Sequence, residues 1–260
     1  KNLTYGIVWF TIGLFKKVVI ADKLAVWANQ VFNNTTNLTM LDAWGGSLAY
    51  SLQLYFDFSG YSEMAIGLGL LFNYNLPLNF NLPYRATSII DFWRRWHMTL
   101  SAFLKNYLYI PLGGNRSGNH MRNILITMFL GGLWHGAGWT FIFWGVLHGI
   151  FICINHLWRK TKIALPKFLC WLLTFNAVNL AWIFFRANSF ESAMNIVRAM
   201  FDVSKFVVPF NKHLAKYFEV FSRNFTILSF SDWLNILLAV IIAVIIMDKK
   251  YIEKLNIYIS

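Results

Sequence analysis

The chain has 260 residues, 57% of them hydrophobic and only 13% charged, with a net charge of +12. Soluble domains carry about a quarter charged residues, so this composition excludes an ordinary soluble protein and implies helices packed in lipid. Short alternating strands are absent, which excludes a β-barrel, and no nucleic-acid-binding motif accompanies the positive charge, which reads instead as cytoplasmic loops.

The expected fold is all-α: a polytopic transmembrane helical bundle with interfacial amphipathic helices and a membrane-embedded cavity. Leu3 to Ala21 is a first span, interrupted by Lys16 and Lys17, which are expected at an interface or snorkelling to one. Residues 29–42, rich in Asn and Thr, read as a polar loop. Ala43 to Phe58 and Met64 to Phe72 are apolar, with a break expected near Ser59-Gly60. Gln53 and Asp57 share a face if that helix is continuous. Asp57 and Glu63 then either cap and bond neighbouring helices or line a polar cavity.

Asn73 to Tyr84 contains Pro77 and Pro83 among asparagines and reads as a loop. Asp91 to Tyr109 places Trp93, Trp96, His97, Leu100, Phe103, Leu104 and Tyr107 at helical spacing, opposite Asp91, Arg94, Arg95, Lys105 and Asn106. That pattern predicts one amphipathic helix lying in the membrane interface. Pro111 to Arg116 ends it and opens a basic loop. The loop's string Ser117-Gly118-Asn119-His120 spells the name of a hydrolase superfamily, but there the four residues come from distant blocks, so it carries no catalytic weight here.

Ile124 to Trp158 contains no charged residue other than three histidines. It is too long for one crossing of a hydrocarbon core about 30 Å thick, and Gly136-Ala137-Gly138 is the natural place to break it into a hairpin. His135 sits beside that break, about 20 Å along a helix from Arg122. An ionisable group at that depth is by default a functional one. His148 reads as structural support, His156 as interfacial, and His120 and His213 as loop residues. The histidine spacings do not suit adjacent helical turns and no carboxylate or cysteine joins them, so no metal site is expected. Cys153 and Cys170 match no zinc or redox spacing.

Phe168 to Phe185 is a further span, Phe190 to Phe201 a short amphipathic segment and Trp233 to Met247 a last span, followed by Lys249, Lys250 and Lys254. By the positive-inside rule the hairpin ends and the carboxyl end face the cytoplasm, and residues 186–231 face outward. Lys1 leads directly into an apolar run, which suggests a chain that begins within a longer protein.

The runs Gly13–Asp22 (GLFKKVVIAD), Tyr55–Ser62 (YFDFSGYS), Phe92–Ser101 (FWRRWHMTLS), Tyr109–Arg116 (YIPLGGNR), Gly132–Gly136 (GLWHG) and Phe184–Ala187 (FFRA) resemble the membrane-bound O-acyltransferases. They are most similar to those of the bacterial alginate and cell-wall polysaccharide O-acetyltransferases. The resemblance implies one such membrane domain over residues 1–260, with the family's amino-terminal helices missing. It implies a multi-pass protein of the bacterial inner membrane. His135 would be the catalytic histidine and His97 the second recurrent one. Asp57, Trp134, Trp96, Asn115 and Arg116 would contact substrate. No cofactor is held tightly; the donor is acetyl-CoA or an acyl carrier thioester, and the acetyl group passes to an extracytoplasmic acetyltransferase partner and on to a polysaccharide. The related D-alanyl transfer branch of teichoic acid synthesis lacks the YIPLGGNR run.

An alcohol attacks a thioester quickly only if its proton leaves as the bond forms, and a neutral imidazole suits that task. Such a base contributes about 10²–10⁴-fold. Trp134 and Trp139 can wall the cavity, and His97 can orient the acceptor or donate to the thioester oxygen. Two other classes fit the composition: a transporter using Asp57, Glu63 and His135, and a non-catalytic scaffold of an export complex. No inverted repeat supports the transporter.

Overall fold

A computed structural model of the chain describes residues 2–116, 118–206, 227–229 and 231–238. Ser117, His213, the part of the last expected span beyond Leu238, and Lys249, Lys250 and Lys254 lie outside the described residues. Among the described residues every regular element is helical. They divide into two compact units, residues 77–190 and the segments on either side of them. Among the described residues, three helical stretches are long and apolar enough to cross a membrane: Asn2–Phe32, Trp139–Thr161 and Lys167–Arg186.

In the first unit α1 (Asn2–Phe15) runs through a π-helical turn (Lys16–Ala21) into α2 (Asp22–Phe32), and α3 (Met40–Leu71) packs against both. The polar loop is therefore shorter than the composition predicts, because helix continues to Phe32 and restarts at Met40. Thr39 caps α3: its hydroxyl accepts the Asp42 amide, and the Asp42 carboxylate takes the Thr39 amide in return. Asp42 is fully buried, and its other oxygen accepts the Leu228 amide at 2.9 Å.

The expected break at Ser59-Gly60 does not occur; α3 passes through it unbroken. Gly60 serves close approach instead. A Cβ there would meet the carbonyl oxygen of Gly13, and one on Gly13 would meet that of Gly60. With the two backbones in contact, Lys16 reaches across to Glu63 and Lys17 to Asp57 at 2.8 Å. Lys16 is 5% exposed and does not reach outward to an interface; the part-buried Glu63 carboxylate on the neighbouring helix holds it. At the other end, α9 (Phe190–Phe201) brings the Met200 carbonyl to the indole N–H of Trp44 at 3.0 Å.

The second unit contains α4 (Ile89–Arg95), α5 (Met98–Leu104), a π-helical turn (Lys105–Tyr109), α6 (His120–His135), α7 (Trp139–Thr161) and α8 (Lys167–Arg186). The hairpin breaks where the glycines predict. α6 ends at His135 and α7 starts at Trp139, and the two pack along each other through Gly132 and Gly145. A Cβ on Gly145 would strike the Met128 carbonyl oxygen, and one on Gly132 that of Phe141. His120 is the first residue of α6 and not part of the loop, since the helix begins about one turn before the charge-free run.

The single amphipathic helix expected over residues 91–109 is two helices. Trp96 is extended and His97 is left-handed, with φ 44° and ψ 58°. A left-handed residue with a Cβ costs about 1–2 kcal/mol, so something outside the segment must hold it. The loop at residues 79–81 does so. Met98 donates its amide to the Asn79 carbonyl at 2.9 Å, and Asn81 donates its own to the Arg95 carbonyl at 2.9 Å. Helical periodicity cannot register a break whose cause lies fifteen or so residues upstream.

Candidate functional site

His135 and His97 both belong to the second unit, and each lies at an interruption of regular helix, His97 between α4 and α5 and His135 at the end of α6. His135 is the last residue of α6 and is half-buried. Three rings stand edge-on to its imidazole: Trp134 at 4.9 Å, Phe185 at 5.1 Å and Trp144 at 5.2 Å between centroids. Trp134 itself is 64% exposed and Trp139, across the break, 79%. The histidine thus sits at the turn of the hairpin, with buried aromatic rings on one side and the exposed Trp134 indole on the other.

His97 lies close enough to His135 for a charge on one ring to be felt at the other. Its Nδ1 is 3.3 Å from Asn79 Oδ1. That same oxygen accepts the Thr99 amide at 3.2 Å and the Thr99 hydroxyl at 2.7 Å. Partial burial lowers the affinity of His97 for a second proton, so the neutral ring is favoured.

Behind His135 lies a closed group of rings. Trp144 stacks on Trp182 at 5.6 Å, and His148 lies edge-on to Trp144 at 5.0 Å and face-on to Phe92 at 6.3 Å. His148 is fully buried, and the indole N–H of Trp93 donates to its Nδ1 at 3.3 Å. Trp96 is 4% exposed and stacks on Phe92 at 5.6 Å, with Phe80 edge-on at 5.0 Å. Its place is under the turn that carries His97.

A cavity of about 510 Å³ opens between α4, α5, α6 and α7. Trp93, Arg94, Met98, Lys105, Asn115 and His156 are among its lining residues; neither His97 nor His135 is. Asn115 accepts the Tyr109 hydroxyl at 2.6 Å, and Arg116 beside it is exposed. His156 stands edge-on to His120 at 5.6 Å. Asp57 belongs to the other unit, where it pairs with Lys17. Among the described residues no three His, Cys, Asp or Glu side chains gather as metal ligands would.

The sequence singled out both histidines and Trp134. It missed Asn79, Trp144 and Phe185. Asn79 read as one more loop asparagine, and nothing local marks it, because its partners Thr99 and His97 come from the helix after the next turn. Trp144 and Phe185 read as ordinary apolar residues of their spans.

Helices of membrane-spanning length, together with a half-buried histidine at a hairpin break, mark an integral membrane protein with a candidate site in its second unit. The chain belongs to the membrane-bound O-acyltransferase family, MBOAT, whose profile matches residues 1–217. It is 56% identical over 206 residues to a peptidoglycan O-acetyltransferase of Helicobacter pylori, covering 77% of this chain and 39% of that protein. It is 50% identical over 202 residues to AlgI of Azotobacter vinelandii, a probable alginate O-acetylase, covering 76% and 40%. A teichoic acid D-alanyltransferase of Streptococcus thermophilus is 33% identical over 132 residues, covering 47% and 32%. The chain therefore spans about two-fifths of the length of the curated relatives first matched.

Proposed function

We propose that the protein is a membrane O-acetyltransferase that moves an acetyl group from a cytoplasmic thioester, acetyl-CoA or an acyl carrier, towards a hydroxyl of an extracytoplasmic polysaccharide. His135 is the general base. Its neutral imidazole removes the acceptor's hydroxyl proton as oxygen attacks the thioester carbonyl, and the thiol leaves with a proton returned to it. His97 shares the space and either orients the acceptor or donates to the carbonyl oxygen. Trp134 offers an exposed ring face beside the reacting atoms. Asn115, Arg116 and the adjoining cavity receive the donor, and Trp96 packs beneath the turn that carries His97; Asp57, proposed from the family resemblance, contributes from its own unit. The acetyl group passes through an extracytoplasmic acetyltransferase partner, and the protein sits in the inner membrane as a multi-pass domain.

One observation supports this reading above the others: His135 is half-buried at the hairpin turn, with the rings of Trp134, Trp144 and Phe185 around its imidazole. The names of the relatives favour acetyl over D-alanyl transfer, since the acetyltransferases share far more of this chain.

The test is His135→Ala in the full-length protein. Acetylated polymer should disappear, by at least about 10²-fold, while membrane insertion and polymer export stay normal. Unchanged acetylation would overturn the role of His135. Lost export with acetylation intact would point to a transporter or scaffold.

A further inference from the structure

We propose that Asn79 is the positioning residue of His97: its side-chain oxygen holds the imidazole proton on Nδ1 and leaves Nε2 as the ring's only basic nitrogen. The inference rests on His97 taking part in acyl transfer, as proposed above.

The amide is oriented by its other partner. The Thr99 backbone N–H can only donate, and it points at the same Asn79 atom as His97 does, at 3.2 Å. That atom must therefore be the oxygen and not the nitrogen. An amide oxygen can only accept, so the 3.3 Å contact with Nδ1 is a hydrogen bond only when Nδ1 carries the proton. A neutral imidazole has one N–H, so the lone pair then lies on Nε2, at the edge of the ring away from Asn79; of the two roles given above, this selects orientation of the acceptor, by accepting from its hydroxyl, over donation to the carbonyl oxygen. A histidine whose second nitrogen is held by an oxygen acceptor has both its tautomer and its ring rotation set.

The backbone supports the same conclusion. His97 is one of four non-glycine residues in the left-handed region among the described residues, and the Asn79 carbonyl takes the amide that follows it. One residue thus fixes the turn through its backbone and the ring through its side chain. An alanine at 79 keeps the first and loses the second, which makes the two separable.

The test uses the full-length protein in detergent or vesicles, with acetyl transfer measured alongside ¹⁵N-histidine NMR. The His97 signals are assigned with a His97→Gln variant. In the parent protein His97 should show its proton on Nδ1. Asn79→Ala should move the proton towards Nε2 and lower kcat about tenfold or more, with KM within about twofold, since small misplacements of a catalytic group cost up to about 10²-fold. Asn79→Asp keeps an oxygen acceptor and should restore most of the rate. Thr99→Val removes one of the other donors to Asn79 and should stay within about twofold of the parent.

An Nε2–H signal in the parent protein, or Thr99→Val as damaging as Asn79→Ala, would overturn the assignment. Failure of Asn79→Asp to restore the rate would do the same. Should His97→Gln leave transfer intact, the role of His97 falls, while the tautomer readout still decides what Asn79 does to the ring.

Discussion

Trp93 donates its indole N–H to Nδ1 of His148, tying α4 to the middle of α7 through a bond 3.3 Å long inside an otherwise apolar group of rings. Nδ1 accepts, so the His148 proton sits on Nε2, and that nitrogen is buried with no partner among the described residues. The indole nitrogens of Trp144 and Trp182 are buried in the same condition. Each such group costs about 1–3 kcal/mol relative to a bonded one.

His148→Phe removes one unpartnered N–H and strands the Trp93 indole. The two changes offset, and thermal unfolding in detergent should shift by no more than about 1 kcal/mol equivalent. His148→Ala should instead lose about 3 kcal/mol or more, because a fully buried ring leaves a cavity. Equal stability of the two variants would mean that the ring is not packed as described.

Gly145 and Gly149 lie one turn apart on α7, yet they should respond differently to alanine. At Gly145 a Cβ meets the backbone oxygen of Met128, which cannot move without separating α6 from α7. At Gly149 the nearest atom is the end of the Leu125 side chain, at 3.1 Å, which can turn aside. Gly145→Ala should therefore cost about 1–3 kcal/mol and Gly149→Ala well under 1 kcal/mol, as read from unfolding midpoints. Because Trp144 contacts His135, Gly145→Ala should also slow acetyl transfer out of proportion to its stability loss.

Lys16 and Glu63 form an ion pair with side chains 6% and 15% exposed. Lys16→Met strands the carboxylate and should cost about 3–5 kcal/mol. Adding Glu63→Leu should recover most of it, since an apolar pair of similar volume avoids the desolvation of both ions. A double variant no more stable than Lys16→Met would show that the pair is held for some reason other than mutual charge compensation.

The cap of α3 offers a graded pair. Thr39→Ala loses one side-chain acceptor and should cost about 1 kcal/mol. Asp42→Ala should cost more, because this fully buried carboxylate also accepts the Leu228 amide. If the two variants unfold at the same midpoint, the Leu228 bond contributes nothing.

Composition and order alone established the membrane class, the hairpin and its break, α8 and α9, and singled out the two histidines as candidates. These depend on short-range facts: a run of apolar residues too long for one crossing, a glycine run inside it, and a charge-free surround that makes an imidazole conspicuous. Tertiary structure decided everything that depended on a partner far along the chain. Gly60 looked like a helix break until Gly13 was seen to need its empty side. Lys16 looked interfacial until Glu63 met it. The interfacial helix looked continuous until Asn79 was found holding His97 in a left-handed turn. Periodicity records which face of a helix is apolar, but it carries no information about which distant backbone or carboxylate will touch that face.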